Sequence, residues 1–321
     1  RFESRGLGDV YKRQTNGAIS VGAIAGTAGG KTSDVTLNAG TSTTSIGAVG
    51  TGTTDINDLT VSGTGVITLT GDIMTADTAA GGNDGATADD GGQSYSGAVV
   101  IHGADLTLTT GGGGASFSST INSEASAARG LTIVNTDGPV SVTGAIGTGT
   151  NGALGALVIG TAEAGTNTGN ITLSNSIGTD SAAGAASISL GNAATGTMTL
   201  GGADYNSTGA QMFESDDFDL DGADITFTTS NAAVEFLDGG TGQIVLENDA
   251  DLTITTGGGN ITIKPSIAGT AGAGGAATSE DVTLNAGVGG GTISLDYAGV
   301  AIATDIGDVT LTGGTINLNG G

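Results

Sequence analysis

Asp34-Val35-Thr36-Leu37-Asn38-Ala39-Gly40 returns as Asp281–Gly287, and it does not return alone. Ile24–Gly29 and Thr32-Ser33 precede the first copy; Ile267–Gly272 and Thr278-Ser279 precede the second. After it, Thr54-Asp55-Ile56-Asn57-Asp58-Leu59-Thr60-Val61 matches Thr304-Asp305-Ile306-Gly307-Asp308-Val309-Thr310-Leu311. The offset grows from 243 residues at Ile24/Ile267 to 250 at Thr54/Thr304. A period that drifts while its strand motifs persist points to stacked units with insertions at their turns. A smaller echo lies inside it: Gly103–Thr110 (GADLTLTT) recurs as Gly222–Thr229 and as Asp249–Thr256.

Within these motifs the period is two. Val35 and Leu37 share one face and Thr36 takes the other, the signature of a half-buried strand. Similar runs occupy Val66–Thr70, Leu131–Asn135, Ser187–Leu190, Gln243–Glu247, Asn260–Lys264, Thr292–Asp296 and Thr315–Asn319, separated by Gly, Asn, Asp and Ala clusters that favour turns. No amphipathic helix of ten or more residues is evident. The expected fold is all-β: a right-handed parallel β-helix, or β-solenoid, of some 12–14 stacked coils of about 20–25 residues. Ten inward residues are expected: Val35, Leu37, Leu106, Leu108, Ile225, Phe227, Leu252, Ile254, Val282 and Leu284. An array of immunoglobulin-like sandwiches is the runner-up, but its ~100-residue module is not the observed period.

Composition narrows the function. Of 321 residues 63 are Gly, yet there are only two Pro and no G-X-Y period, which excludes collagen. A net charge of −25 argues against nucleic acid and anionic membranes as partners. The absence of Cys removes disulfides, thiolate metal sites and Cys nucleophiles. No apolar run approaches the ~20 residues of a membrane-spanning helix. Length alone suggests about two domains, a reading that the repeats override.

Residues 1–14 (RFESRGLGDVYKRQ) differ from the rest, holding four of the seven basic residues: Arg1, Arg5, Lys12 and Arg13. Asp9–Gln14 resembles the in-frame translation of a sequencing-library adapter, so the segment is expected to be artefact and to add no coil. The repeat region is then residues 15–321, slightly more than one repeat of about 245–250 residues. Missing start Met and signal peptide accord with an internal fragment of a longer reading frame.

Gly92–Val99, Gly103–Thr110 and Gly111–Ile121, continued by Leu131–Val134 and Gly138–Val142, resemble repeats of filamentous-haemagglutinin-like exoproteins and giant autotransporter adhesins; Gly202–Asn206 is a weaker copy. The resemblance implies a bacterial adhesin, secreted to the cell surface of a Gram-negative organism. Its expected partners are a host-cell, polysaccharide or neighbouring-cell surface receptor. No Arg-Gly-Asp tripeptide is present.

Candidate chemistry is sparse. The single His102 shows no spacing to a nucleophile or acid. A polysaccharide-active β-helix enzyme would need a base or paired carboxylates in an aromatic cleft, and after residue 14 only Lys31, Arg129, Lys264, three Tyr and no Trp remain. No catalytic residues are expected. Gly147–Gly152 matches G-x-G-x-x-G, a pattern that abundant Gly produces by chance. Asp217, Asp219 and Asp221 fall on one outer strand face and form the sole metal candidate, for Ca²⁺. Asp217–Gly222 opens like an EF-hand loop, but its twelfth position is Thr228. Gly239–Gln243 resembles an RTX nonapeptide with Gln243 replacing the ligand Asp. A solvated acidic face and a Ca²⁺-dependent surface-layer or RTX-type protein both stay open, and no other cofactor is expected. Thr-x-Thr pairs, such as Thr226/Thr228 and Thr310/Thr312, are outward filler whose uneven spacing need not align them. Ala76–Gly97 lacks alternation and reads as a recognition loop or a spacer.

Overall fold

A computed structural model describes residues 10–14, 16–26, 33–50, 55–75, 91–135, 138–148, 152–160, 169–179, 182–222, 224–238, 242–270, 280–295 and 306–318. The chain divides into two units, residues 1–169 and 170–321. Each is a parallel β-solenoid with three strand columns, and the described residues contain no helix.

In the first unit one column runs Val10–Arg13, Val35–Asn38, Leu59–Ser62, Gln93–Tyr95, Ala115–Phe117 and Val140–Val142. A second runs Ile19–Ile24, Thr44–Val49, Ile67–Leu69, Val99–Ile101 and Ile121–Ser123. The third holds Ile73–Met74, Leu106–Thr110, Leu131–Asn135 and Leu154–Ile159. In the second unit the columns are Ile171–Leu173 through Ser266–Gly269, Asp204–Ser207 through Ile306–Thr312, and Ala185–Gly191 through Thr315–Leu318. The described exception to parallel pairing is the two-residue antiparallel contact of Gly178–Thr179 with Ala182–Ala183.

Coils are longer and fewer than the sequence suggests. The step from one coil to the next is 20 residues at Met198/Phe218 but 34 at Leu59/Gln93. Among the described residues the first column holds six strands in the first unit and five in the second. Extra residues enter at the turns and leave the strand registers intact, because each stacked strand already has its inward positions filled.

All ten residues expected to point inward are buried. A side chain that alternates inward meets the equivalent side chain of the coil above, so stacking makes the core. The second unit adds an aromatic interior drawn from all three columns. Tyr205 stacks on Phe227 and Phe213 on Phe236, both at 4.9 Å, while Phe218 meets Phe236 edge-on at 5.4 Å. Such pairs contribute about 0.5–1.5 kcal/mol each beyond area burial. Turn glycines let coils approach closely: at Gly63, where φ is 122°, a Cβ would sit 2.5 Å from the Gly40 carbonyl oxygen.

Two expectations change here. Val10–Arg13 is a strand in register with Val35–Asn38, and the Gln14 N–H donates to the Asn38 carbonyl at 2.9 Å. Backbone pairing at an open edge needs only an extended segment, so the basic sequence is no bar. The register sets Lys12 against Leu37, in the position that Val61, Tyr95, Phe117 and Val142 occupy further along the column. Second, the irregular stretch expected over Ala76–Gly97 ends early, because Gln93–Tyr95 is a strand with both Gln93 and Tyr95 buried. Residues 76–90 lie outside the described ones.

Candidate functional site

The sequence placed one candidate on an acidic strand, and the structure keeps it there. In Asp217–Leu220, Phe218 and Leu220 are buried, Asp217 is exposed and Asp219 half-buried; Asp221 follows, exposed. The next coil adds a residue the sequence reading missed. Leu220 pairs with Leu246, which sets Glu247 beside Asp221. Burial first, then the charges of Asp217 and Asp221, raise the Asp219 pKa. Burial, then Asp219 and Asp221, raise that of Glu247. The cluster is thus a crowded acidic surface, drawn from two coils that lie 26 residues apart in sequence.

Two of its carboxylates already have partners. Asp217 Oδ1 accepts the Gln243 backbone N–H at 3.3 Å, and Asp221 Oδ1 accepts the Asn248 amide at 2.6 Å. Among the described residues, no three His, Cys, Asp or Glu side chains converge as a metal-binding group. Gly239–Thr241 of the RTX-like stretch and residues 149–151 of the G-x-G-x-x-G match lie outside the described residues.

Asp217 exemplifies a wider arrangement. Asp224 Oδ1 accepts the Asp251 N–H at 3.4 Å, Asp251 Oδ1 the Asp281 N–H at 2.8 Å, and Asp281 Oδ1 the Asp308 N–H at 2.8 Å. In the first unit Asp34 Oδ1 accepts the Asp58 N–H at 3.3 Å, and Asp58 Oδ1 the Gly92 N–H at 2.7 Å. Asp72 and Asp105 receive Thr107 and Gly130 in the same way, both at 2.8 Å. Asn170, Asn122 and Asn260 do so with Thr197, Thr148 and Thr292. In most of these cases an Asx just before a strand, or in its first residues, reaches across to the next coil and takes an N–H near the start of the following strand; Asn122, in the middle of Ile121–Ser123, is an exception. This is the physical reason for the Asp in the recurring Ala-Asp-Leu-Thr motif. Hydrogen bonds to a charged acceptor contribute about 1.5–3 kcal/mol.

His102 lies at the surface beside Glu124, with Nε2–Oε2 at 3.2 Å, and Arg129 Nε donates to Glu124 Oε1 at 2.6 Å. The Gly103 N–H also reaches Glu124 Oε1, at 3.1 Å. The Arg129 hydrogen bond, the Gly103 N–H and the nearby His102 hold the Glu124 carboxyl below its usual range. His102 and Gly103 tie their turn to the one that carries Glu124 and Arg129. Ser123 Oγ accepts the Arg129 backbone N–H at 2.7 Å and donates to the Ala127 carbonyl at 2.5 Å, so its hydroxyl serves the turn.

Buried polar residues sit at the coil corners, and sequence pattern alone did not reveal them. Gln93 Nε2 donates to the Thr109 carbonyl at 2.9 Å, and the Tyr95 hydroxyl donates to Gln93 Oε1 at 2.8 Å. Gln211 Nε2 likewise donates to the carbonyls of Tyr205 and Thr228, at 2.7 and 2.9 Å. Glu280 differs: it is fully buried, and among the described residues neither carboxylate oxygen has a hydrogen-bond partner.

The Thr pairs also align further than their spacing suggested. Thr226, Thr253, Thr283 and Thr310 form one in-register column, and Thr228, Thr255, Asn285 and Thr312 another. Turns of unequal length absorb the uneven spacing, so outward positions stay stacked.

No family model, curated protein or solved structure matches the chain.

Proposed function

We propose that this chain is a structural and adhesive shaft of a large bacterial surface protein, of the filamentous-haemagglutinin-like or autotransporter kind, working outside a Gram-negative cell without catalysis. Its partner is a surface receptor: a host-cell ligand, a polysaccharide or a neighbouring cell. The observation that carries this reading is the recurrent Asx rung. In both units acidic and amide side chains receive the backbone of the adjacent coil, which suits a scaffold built by repetition. Outward Thr columns supply a regular polar surface on that scaffold.

A second reading, the Ca²⁺-dependent surface-layer or RTX-type protein, rests on the crowding of Asp217, Asp219, Asp221 and Glu247. One assay separates the readings. Beads coated with the chain are washed under flow over cells or immobilised bacterial polysaccharide, with and without Ca²⁺. Retention without shortening of the polysaccharide supports the adhesive shaft. Release of new reducing ends would assign an enzyme instead, and retention only with Ca²⁺ would favour the second reading.

A further inference from the structure

The outward Thr columns of the second unit form a net. The column at Thr226 runs on through Thr253, Thr283 and Thr310, and the column at Thr228 through Thr255, Asn285 and Thr312. Seven of these eight in-register positions are Thr and none is charged, on a chain with 32 acidic residues. The register shift between Glu280 and Val282 lies ahead of both columns and leaves them aligned.

Other outward columns differ. In the same unit, Glu235 stands in register between Met212 and Thr262, and Asp219 between Thr199 and Val245. In the first unit, Thr36 and Thr60 give way to Ser94, Ser116 and Ser141. Among the described residues, paired Thr columns on adjacent coils stand at the Thr226/Thr228 face alone. Its border is held by the rungs, since Oδ1 of Asp224, Asp251 and Asp281 each accepts a backbone N–H from the next coil.

The choice of Thr matters. Ser would supply the hydroxyl, but Thr adds a methyl and a branched Cβ that restricts χ1. Six of the seven Thr are half-buried and Thr310 is exposed. Packing against in-register neighbours fixes hydroxyls and methyls before anything binds. Equivalent groups repeat about every 4.7–4.9 Å from coil to coil and about every 6.6 Å along a strand, which is two residues of rise.

A single small molecule gains little from such a face, because its two columns offer neither a ring nor a charge to hold it. A ligand that is itself a repeating net gains at many positions at once. Oxygen atoms on the prism face of hexagonal ice repeat on a rectangular net. Its short side is close to the coil spacing, and its long side is slightly longer than two residues of strand. Waters bridging neighbouring Thr hydroxyls therefore fall near lattice sites of the crystal, with the methyls between them. We propose that the face formed by Thr226, Thr228 and their in-register partners binds ice. This proposal is independent of the surface receptor proposed above, because its ligand is frozen water and its test needs no cell.

The test compares the full chain with Thr253→Tyr, Thr255→Tyr and Thr262→Tyr. Tyr suits a strand, and circular dichroism and melting check that each variant folds. Uptake of the fluorescently labelled chain into slowly growing ice is measured, together with faceting of a single ice crystal. The expected result is uptake with facets for the unaltered chain and for Thr262→Tyr, which alters a different column. Thr253→Tyr and Thr255→Tyr should each lower uptake about tenfold, since one bulky side chain breaks simultaneous engagement of the net. Thr253→Ser with Thr255→Ser, which removes only methyls, should lower it as well and reads the same face if a Tyr variant fails to fold. Exclusion of the unaltered chain from ice would overturn the proposal, and so would uptake that survives every change at Thr253 and Thr255 or is lost equally in Thr262→Tyr. Retention on an immobilised neutral polysaccharide that Thr253→Tyr abolishes, without uptake into ice, would also overturn it and assign the face to a sugar chain.

Discussion

Residues 34–69 and 281–318 are two copies of one sequence in two surroundings. Val35 and Leu37 in the first, and Val282 and Leu284 in the second, are equally buried. One coil later the copies part: Leu59 and Leu69 are fully buried, whereas Val309 and Leu318 lie open. The local sequence, strand pairing and alternation are shared, so the difference comes from the coil above. Burial in this fold is a property of the stack, and each strand only offers a face for it.

The largest expected effect uses that contrast directly. Leu69→Ala should cost about 2–5 kcal/mol in denaturant unfolding, as large-to-small changes in a packed core do. Leu318→Ala, at the matching position, should stay within about 0.5 kcal/mol, the range of surface substitutions. Equal losses would mean that both copies are covered. The Asx rungs give the next effect. Asp58→Ala should cost about 1.5–3 kcal/mol by leaving the Gly92 N–H without its charged acceptor. Asp308→Ala should change little, since among the described residues no coil N–H reaches that carboxylate.

Glu280 marks a difference inside the repeat: Ser33 precedes Asp34 in the first copy, and Glu280 precedes Asp281 in the second. A buried carboxylate without partners carries a desolvation cost of about 1–3 kcal/mol or more. Glu280→Leu is therefore expected to raise stability by about that amount, and a loss on melting would show that the carboxylate has a stabilising role. The smallest effect concerns the acidic face. Asp219 and Glu247 titrate higher in the folded chain than their ordinary values. The folded state then binds more protons in that window, so their contribution is most favourable at low pH and is lost as pH rises through the raised pKa values. Asp219→Asn should flatten this dependence, and matched NaCl and CaCl₂ should reduce it equally by screening. A gain specific to CaCl₂ would point to a bound cation.

Much of this was legible in the sequence. Alternation at Val35/Leu37, Ile225/Phe227 and Leu252/Ile254 gave the inward residues, because a period of two has one reading once a face is apolar. The internal echoes gave the stacking. What escaped was the polar interior and the register. Nothing in the pattern singled out Gln93 and Gln211, whose buried amides bond to the carbonyls of Thr109 and Tyr205. Glu247 joined the acidic cluster only through a pairing across 26 residues. The Thr columns needed the register as well, since turn lengths hide it. At the candidate site the sequence singled out Asp217 as a metal ligand and gave no sign that its carboxylate accepts the Gln243 N–H of the next coil.

The central claim is that coils stack in parallel at the stated register, and the lack of Cys makes it directly measurable. Thr226 and Thr253 are outward in-register partners on adjacent strands. Cα atoms across such a pair lie about 5 Å apart, within the ~4.4–6.8 Å that a disulfide spans. Thr226→Cys with Thr253→Cys should therefore oxidise to an intramolecular disulfide under mild conditions in the folded chain. Thr226→Cys with Thr255→Cys, displaced by two residues along the strand, should remain reduced. Cross-linking of the displaced pair but not the in-register pair, or of neither, would contradict the stacked parallel solenoid.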